Sequence, residues 1–131
     1  MNIVIAGGGK VGSELTGKLS AEGHEITLID NNADVLENIM SKYDVIAIQG
    51  NAASLDTLEE AGIRKADLLI AATNFDEINL LACFTARSIK KNIHTIGRIR
   101  NPEYRNQAYA MRDLFGLNLI INPERQAADE I

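Results

Sequence analysis

From Asn2 to Asn122, short runs of aliphatic and β-branched residues alternate with longer stretches in which apolar side chains recur every three or four positions. That alternation is the mark of repeated strand-helix units and predicts a parallel sheet. The runs Ile3 to Ala6, Glu25 to Ile29, Val45 to Gln49, Leu68 to Ala72, Ile93 to Arg98 and Leu117 to Ile121 read as strands. Most are apolar on both faces, as strands covered by helices on both sides are. Val11, Leu15 and Leu19 form a helical stripe, and Ile78, Leu81, Ala82, Thr85 and Ile89 form another in the next long helix. Asn74 with Glu77 predicts a capping box, while Asn101-Pro102 and Asn122-Pro123 each place a capping side chain before a proline at the first helical position. Six strands with helical crossovers predict an α/β fold: a Rossmann doubly wound parallel six-stranded sheet of order 3-2-1-4-5-6, with helices on both faces. Its ligand crevice would lie at the carboxyl ends of the strands. Pro123 to Ile131 read as a helix with no further strand to join, so residues 1–131 are expected to be a single domain of something longer.

Composition narrows the function. The chain has 131 residues, 46% hydrophobic and 24% charged, which suits one compact domain with an ordinary core. Thirteen Lys and Arg stand against eighteen Asp and Glu, a net charge of -5, which argues against nucleic acid as a partner. A single cysteine, Cys83, forms no internal disulfide and suits a reducing cytosol. No apolar run approaches the roughly 20 residues of a membrane-spanning helix, and the chain enters its first strand with no basic leader segment.

The first strand runs into Gly7-Gly8-Gly9-Lys10-Val11-Gly12, in which Gly7, Gly9 and Gly12 satisfy the dinucleotide fingerprint, and Asp30 ends the second strand. Gly7 permits the tight turn, Gly9 lets backbone N–H groups approach a pyrophosphate, and Gly12 allows helix to pack on strand. The helix dipole then favours the anion. Asp30 stands where an acid accepts hydrogen bonds from both ribose hydroxyls, and Asn31 and Asn32 supply no arginine for a 2′-phosphate. NAD or an adenosine phosphate is therefore expected over NADP. The plainer alternative makes the glycines a tight turn and Asp30 a cap for the helix starting near Ala33. Lys10 is either a mobile charge near the phosphates or a solvated lysine at a helix start.

The same topology brings the loops after the later strands to this crevice. Asn51 and Ala52 would read an adenine edge, although Gly50-Asn51 is also an ordinary turn pair. Thr73 and Asn74 would bond ribose or phosphate, with helix capping as the competing use of Asn74. Arg98 and Arg100, two apart in an extended stretch, are expected to point to one side and clamp phosphates, unless they pair with surface carboxylates. Glu124 would act near phosphates only through a divalent cation, and otherwise decorates a first helical turn. His24, His94 and Cys83 lack acid-base neighbours and read as structural.

Taken in order, these segments resemble the nucleotide-binding lobe of the Trk-type potassium-uptake regulators, the RCK or KTN domain. The resemblance rests on Ile3 to Gly12, Leu28-Ile29-Asp30, Gly50-Asn51-Ala52, Leu58 to Ile63, Ala66 to Thr73, Glu77 to Ala82, Gly97 to Pro102 and Ile120 to Glu124. It departs mildly from the family pattern at Asn51, where Asp is often found, at Lys10, where Arg is common, and at Gly97, where Ala is frequent. The resemblance implies a module, cytoplasmic and peripheral to the inner face of the membrane, that binds NAD (NAD⁺ or NADH) or ATP/ADP. It implies a membrane potassium transporter or channel as partner, and a homodimer or larger ring whose shape follows ligand exchange. Its site carries over to the Gly7, Gly8, Gly9, Lys10, Val11 and Gly12 turn for phosphates, Asp30 for ribose, Asn31 as a neighbouring contact, and Asn51 and Ala52 for adenine. Ala72, Thr73, Asn74 and Arg98 are further contacts, and Glu124 matches a position associated with a divalent ion. The family's smaller C-terminal lobe has no counterpart in these residues.

A competing class is the NAD-binding domain of a truncated dehydrogenase. Hydride transfer needs a substrate pocket and a general acid or base facing the nicotinamide. No Tyr-x-x-x-Lys pair surrounds Tyr43, Tyr104 or Tyr109, so a binding module is expected rather than an enzyme.

Overall fold

The computed structural model of the chain describes residues 1–122. Six strands, β1 (Asn2–Ala6), β2 (Glu25–Asp30), β3 (Ile46–Gln49), β4 (Leu68–Ala71), β5 (His94–Arg98) and β6 (Leu119–Ile121), form one sheet of order β3-β2-β1-β4-β5-β6. Every neighbouring pair is parallel. The helices are α1 (Lys10–Ala21), α2 (Ala33–Met40), α3 (Leu55–Glu60), α4 (Asp76–Ile89), α5 (Pro102–Ala110) and the short α6 (Arg112–Phe115), with a single 3-10 turn at Ile63–Lys65. The predicted strands and their order are those observed, with ends differing by at most two residues. The register aligns Ala6 with Ile29 on one side and Ala71 on the other. The glycine turn, Asp30 and the β4–α4 loop therefore leave the sheet side by side.

Alternation along β1 divides the core into two layers. Ile3 and Ile5 join Ile26, Leu28, Ile70, Leu36 and Ile39, and this layer takes the predicted α1 stripe of Val11, Leu15 and Leu19. Val4 and Ala6 join Ile29, Leu69, Ala71, Leu58 and the small residues Ala82, Cys83 and Ala86 of α4. Burying such apolar side chains stabilises the domain by roughly 1.5–3 kcal/mol per Val, Leu or Ile.

Three local expectations are corrected. In α4 the buried face is Asp76, Asn79, Ala82, Cys83 and Ala86, while Leu81 remains 49% exposed and Phe84 42%. Small side chains let α4 lie close to the sheet, and a polar Asn79 takes a place that an apolar pattern assigns elsewhere. The Asn74–Glu77 capping box does not form. The N-cap of α4 is Phe75, whose N–H donates to Thr73 Oγ1 at 3.2 Å, and Asn74 Oδ1 accepts instead from Arg98. Nor does Asp30 cap α2: Asn32 does, accepting from the N–H groups of Asp34 and Val35. The Asn101 cap is as predicted, its side chain accepting from Glu103 N–H at 3.0 Å ahead of Pro102. The Asn122-Pro123 helix start and Glu124 lie outside the described residues.

Two glycines set the turn. Gly7 has φ of 105°, a left-handed conformation that L side chains avoid, and a Cβ there would meet the Ala72 carbonyl oxygen at 2.8 Å. A Cβ on Gly12 would lie 1.6 Å from the Gly7 carbonyl oxygen. Gly12→Ala is accordingly expected to lower unfolding free energy by about 2–4 kcal/mol, because backbone rather than a flexible side chain has to yield. Urea denaturation monitored by circular dichroism measures it, and a loss below about 0.5 kcal/mol, the level of an ordinary surface change, would contradict the close approach.

Candidate functional site

Where the carboxyl ends of β1, β2, β3 and β4 meet, the loops enclose a crevice of about 480 Å³. The ends of β1 and β4 part here because their crossovers run in opposite directions, which is where doubly wound sheets take ligands. Its wall contains Gly7 and Gly9 from the glycine turn, Asp30, Asn31 and Asn32 after β2, Gly50, Asn51 and Ala52 after β3, and Ala72, Thr73, Asn74 and Phe75 after β4. Nine of the predicted site residues thus surround one space. Ile29, Val35 and Ile78 add an apolar lining that the polar search of the sequence passed over. Val35 and Ile78 occupy the first turns of α2 and α4, next to candidate loops, and that position was the available signal. Apolar walls with a few placed polar groups are the usual makeup of a small-molecule site.

Asp30 joins two sides of the crevice. One carboxylate oxygen accepts from Gly8 N–H at 2.8 Å and the other from Asn32 N–H at 2.8 Å. Each oxygen retains a further lone pair, so the carboxylate can still accept from hydroxyls. Asn51 Oδ1 is engaged by Ala53 N–H at 2.9 Å in a local turn. Gly9 precedes α1, where the first backbone N–H groups and the helix dipole favour an anion.

Other predicted residues lie off the wall. Gly8 and Gly12 are buried in the turn, Val11 packs in the core, and Lys10 is exposed on the first turn of α1. Arg98 is only 4% exposed and stands behind the β4–α4 loop, donating to Thr73 O at 3.2 Å and Asn74 Oδ1 at 3.3 Å. Arg100 is exposed in a neighbouring groove with Asp76, Pro102 and Tyr104. The expected pair of arginines is therefore one buried strut and one surface side chain. The extended stretch ends at Arg98 because Asp76 captures the N–H groups of Arg100 and Asn101 at 3.0 and 2.8 Å and turns the chain into α5. Glu77 reaches Tyr104, whose phenol it holds above the usual pKa by charge and hydrogen bonding.

Asn79 lies within the Glu77 to Ala82 segment and carries no predicted role at the site. This residue is fully buried and bonds to Thr73 and to the Arg98 carbonyl. No sequence signal marks it, because α4 also carries Asp76, Glu77, Thr85, Arg87 and Ser88 and the apolar period points to other positions. His24 is hydrogen-bonded near the chain start, His94 is exposed at the opening of β5, and Cys83 is in the core. Among the described residues no helix is long and apolar enough to cross a membrane.

A family model, the TrkA-N domain, matches residues 3–123. The Trk system potassium uptake protein TrkA of Vibrio alginolyticus is 44% identical over 104 residues, covering 79% of this chain and 23% of that protein. A Trk system potassium uptake protein TrkA homolog of Methanothermobacter thermautotrophicus is 42% identical over 130 residues, covering 98% of this chain and 57% of that one. The chain thus spans less than a quarter of one of these relatives and less than three-fifths of the other. Among solved structures, the TrkA-N domain of the Escherichia coli inner membrane protein ybaL has the same fold, with a TM-score of 0.86 at 23% identity over 98% of this chain and 92% of that one. The Kef C-terminal domain of Shewanella denitrificans in its AMP-bound form aligns at a TM-score of 0.79 and 25% identity, covering 98% and 75%. GsuK bound to ADP aligns at 0.79 and 25% identity, covering 98% and 32%.

Two outcomes test this geometry. Burial pushes the Cys83 thiol up to about 12, so at pH 8 it should react with a disulfide reagent about a thousandfold more slowly than in the urea-unfolded chain. Comparable rates folded and unfolded would place Cys83 at the surface. Asp30→Asn leaves one of two N–H groups facing an amide NH₂, and should cost about 1–3 kcal/mol in a denaturation experiment even without ligand.

Proposed function

The chain belongs to the TrkA-N domain family, and on that premise we propose that it is the nucleotide-binding regulatory domain of a potassium uptake system, sensing NAD(H) or ATP/ADP. The observation that carries the reading is the crevice itself, with Asp30 latched to the glycine turn on one side of about 480 Å³ and open to hydroxyls on the other. Relatives named as Trk potassium uptake proteins support the transport system, and neighbours with AMP and ADP bound support the ligand class. In this reading phosphates rest on the Gly7 to Gly12 turn with Lys10 nearby, ribose on Asp30 and Asn31, and adenine beside Asn51 and Ala52 between Val35 and Ile78. Ala72, Thr73 and Asn74 meet the rest of the ligand, Arg98 braces them, and Glu124 would engage phosphates through a divalent ion.

The domain acts as a sensor, not a catalyst. A ligand shifts a conformational equilibrium only by its differential affinity for the two states, and about 1–3 kcal/mol is enough for a graded response. In this reading the chain is a domain of a longer protein, as the length of its relatives suggests, and assembles as a dimer or ring on the cytoplasmic face of its membrane transporter.

Calorimetric titration of ligand-stripped protein with NAD⁺, NADH, ATP, ADP and NADP⁺ tests the reading. At least one of the first four should bind, NADP⁺ should bind at least about tenfold more weakly than NAD⁺ because Asp30 repels a 2′-phosphate, and Asp30→Ala should weaken the preferred ligand by about tenfold or more. If none of these ligands binds, or if Asp30→Ala binds as well as the natural chain, the proposal fails.

A further inference from the structure

Asn79 spends its amide on the β4–α4 loop and the end of β5. Its oxygen accepts from Thr73 N–H at 2.9 Å and lies 2.7 Å from Thr73 Oγ1, while its nitrogen donates to Thr73 O at 3.1 Å and to Arg98 O at 2.8 Å. Two carbonyls on one side and a backbone N–H on the other allow one orientation of the amide. The Thr73 hydroxyl proton consequently goes inward, to Asn79 Oδ1 or to Phe75 O at 3.2 Å, and Phe75 N–H takes one of the hydroxyl's lone pairs. Thr73 keeps a lone pair for the crevice and no proton. Asn74 is fixed by the same logic. Arg98 has only donors, so the Asn74 atom 3.3 Å from its guanidinium is the oxygen, and the N–H pair is what Asn74 offers outward.

We propose that Asn79 and Arg98 are positioning residues that set the hydrogen-bond polarity of the β4 side of the crevice, making Thr73 an acceptor and Asn74 a donor for a second ribose phosphate. This rests on the nucleotide reading above and adds which nucleotides are preferred. Asp30 ends β2, the glycine turn follows β1, and Thr73 follows β4, in that order across the sheet. A ligand with its first ribose on Asp30 and its phosphates on the turn carries anything beyond them toward Thr73. ADP ends at the turn. ADP-ribose and dinucleotides continue, with a sugar hydroxyl to donate to Thr73 and adjacent oxygens to accept from Asn74. The site therefore discriminates between these classes through atoms whose polarity residues outside the crevice wall have fixed.

The experiment is titration of the ligand-stripped chain with ADP and ADP-ribose, reading the ratio of the two affinities. ADP-ribose should bind about tenfold more tightly, since a site built to accept a hydroxyl penalises its absence. Thr73→Ser, which keeps the hydroxyl, should preserve the ratio; Thr73→Val should bring it close to one, and Asn79→Ala, which leaves the hydroxyl proton only the longer bond to Phe75 O, should lower it part of the way. Loss of stability alone would not move a ratio. Should Asn79→Ala fail to fold, Thr73→Val against Thr73→Ser decides. A ratio near one in the natural chain, or an unchanged ratio in Thr73→Val, overturns the inference while leaving nucleotide binding intact. Binding of neither compound overturns both readings together.

Discussion

Helix α1 approaches β1 so closely that the Gly7 carbonyl oxygen occupies the place of a Gly12 Cβ. The carboxyl edge of the sheet is arranged around that contact. It brings the first turn of α1 over the end of β1, fixes Gly7 in a conformation most residues avoid, and seats Gly7 against Ala72 at the end of β4. Parallel registry then carries the arrangement sideways, to Asp30 on one side and Thr73 on the other. A longer side chain at Gly12 would separate helix from strand, and the donors and acceptors around the crevice would lose their common origin.

Asp30 converts this packing into electrostatics. A carboxylate held at a sheet edge by Gly8 and Asn32 N–H groups is oriented before any ligand arrives. Such preorganisation reduces the ordering cost of binding, since the side chain has little freedom left to lose. It also keeps one negative charge on the β2 side of a crevice whose central turn offers N–H donors, the order of acceptors and donors that the proposed nucleotide reading calls for.

How far this was legible in the sequence depended on whether a residue's partners were local. The strands announced themselves through continuous apolar runs, and the turn through Gly7, Gly9 and Gly12 with Asp30 at the end of the next strand, because those features follow from chain-local sterics and period. Asn101 before Pro102 was equally plain. Asn74 was misread as a cap since its competing partner, Arg98, comes 24 residues later from another strand. Leu81 was placed inward by periodicity, which ranks residues by polarity and has no means of knowing that Asn79 is required on the buried face. Arg98 also braces the loop through Thr73 O and Asn74 Oδ1, contacts that spacing within β5 does not contain.

The burial of Asn79 follows from the way the strands separate. The last ladder pair between β4 and β5 is Ala71 with Gly97; beyond it the Thr73 and Arg98 backbones diverge and have no rung between them. An apolar side chain at position 79 could fill the volume beside Ala82 and Cys83, yet it would leave Thr73 N–H and Arg98 O without that partner, at about 1–3 kcal/mol for each buried group so abandoned, and Thr73 O with Arg98 alone. The carboxamide is a peptide unit in miniature, with one acceptor and two donors, and it spans the gap as a substitute rung. Beyond Ala71 and Gly97 the two strands part beside the crevice, and parting exposes backbone groups. One buried amide takes up those groups, so the polar residue inside the core is a consequence of where the two strands stop pairing.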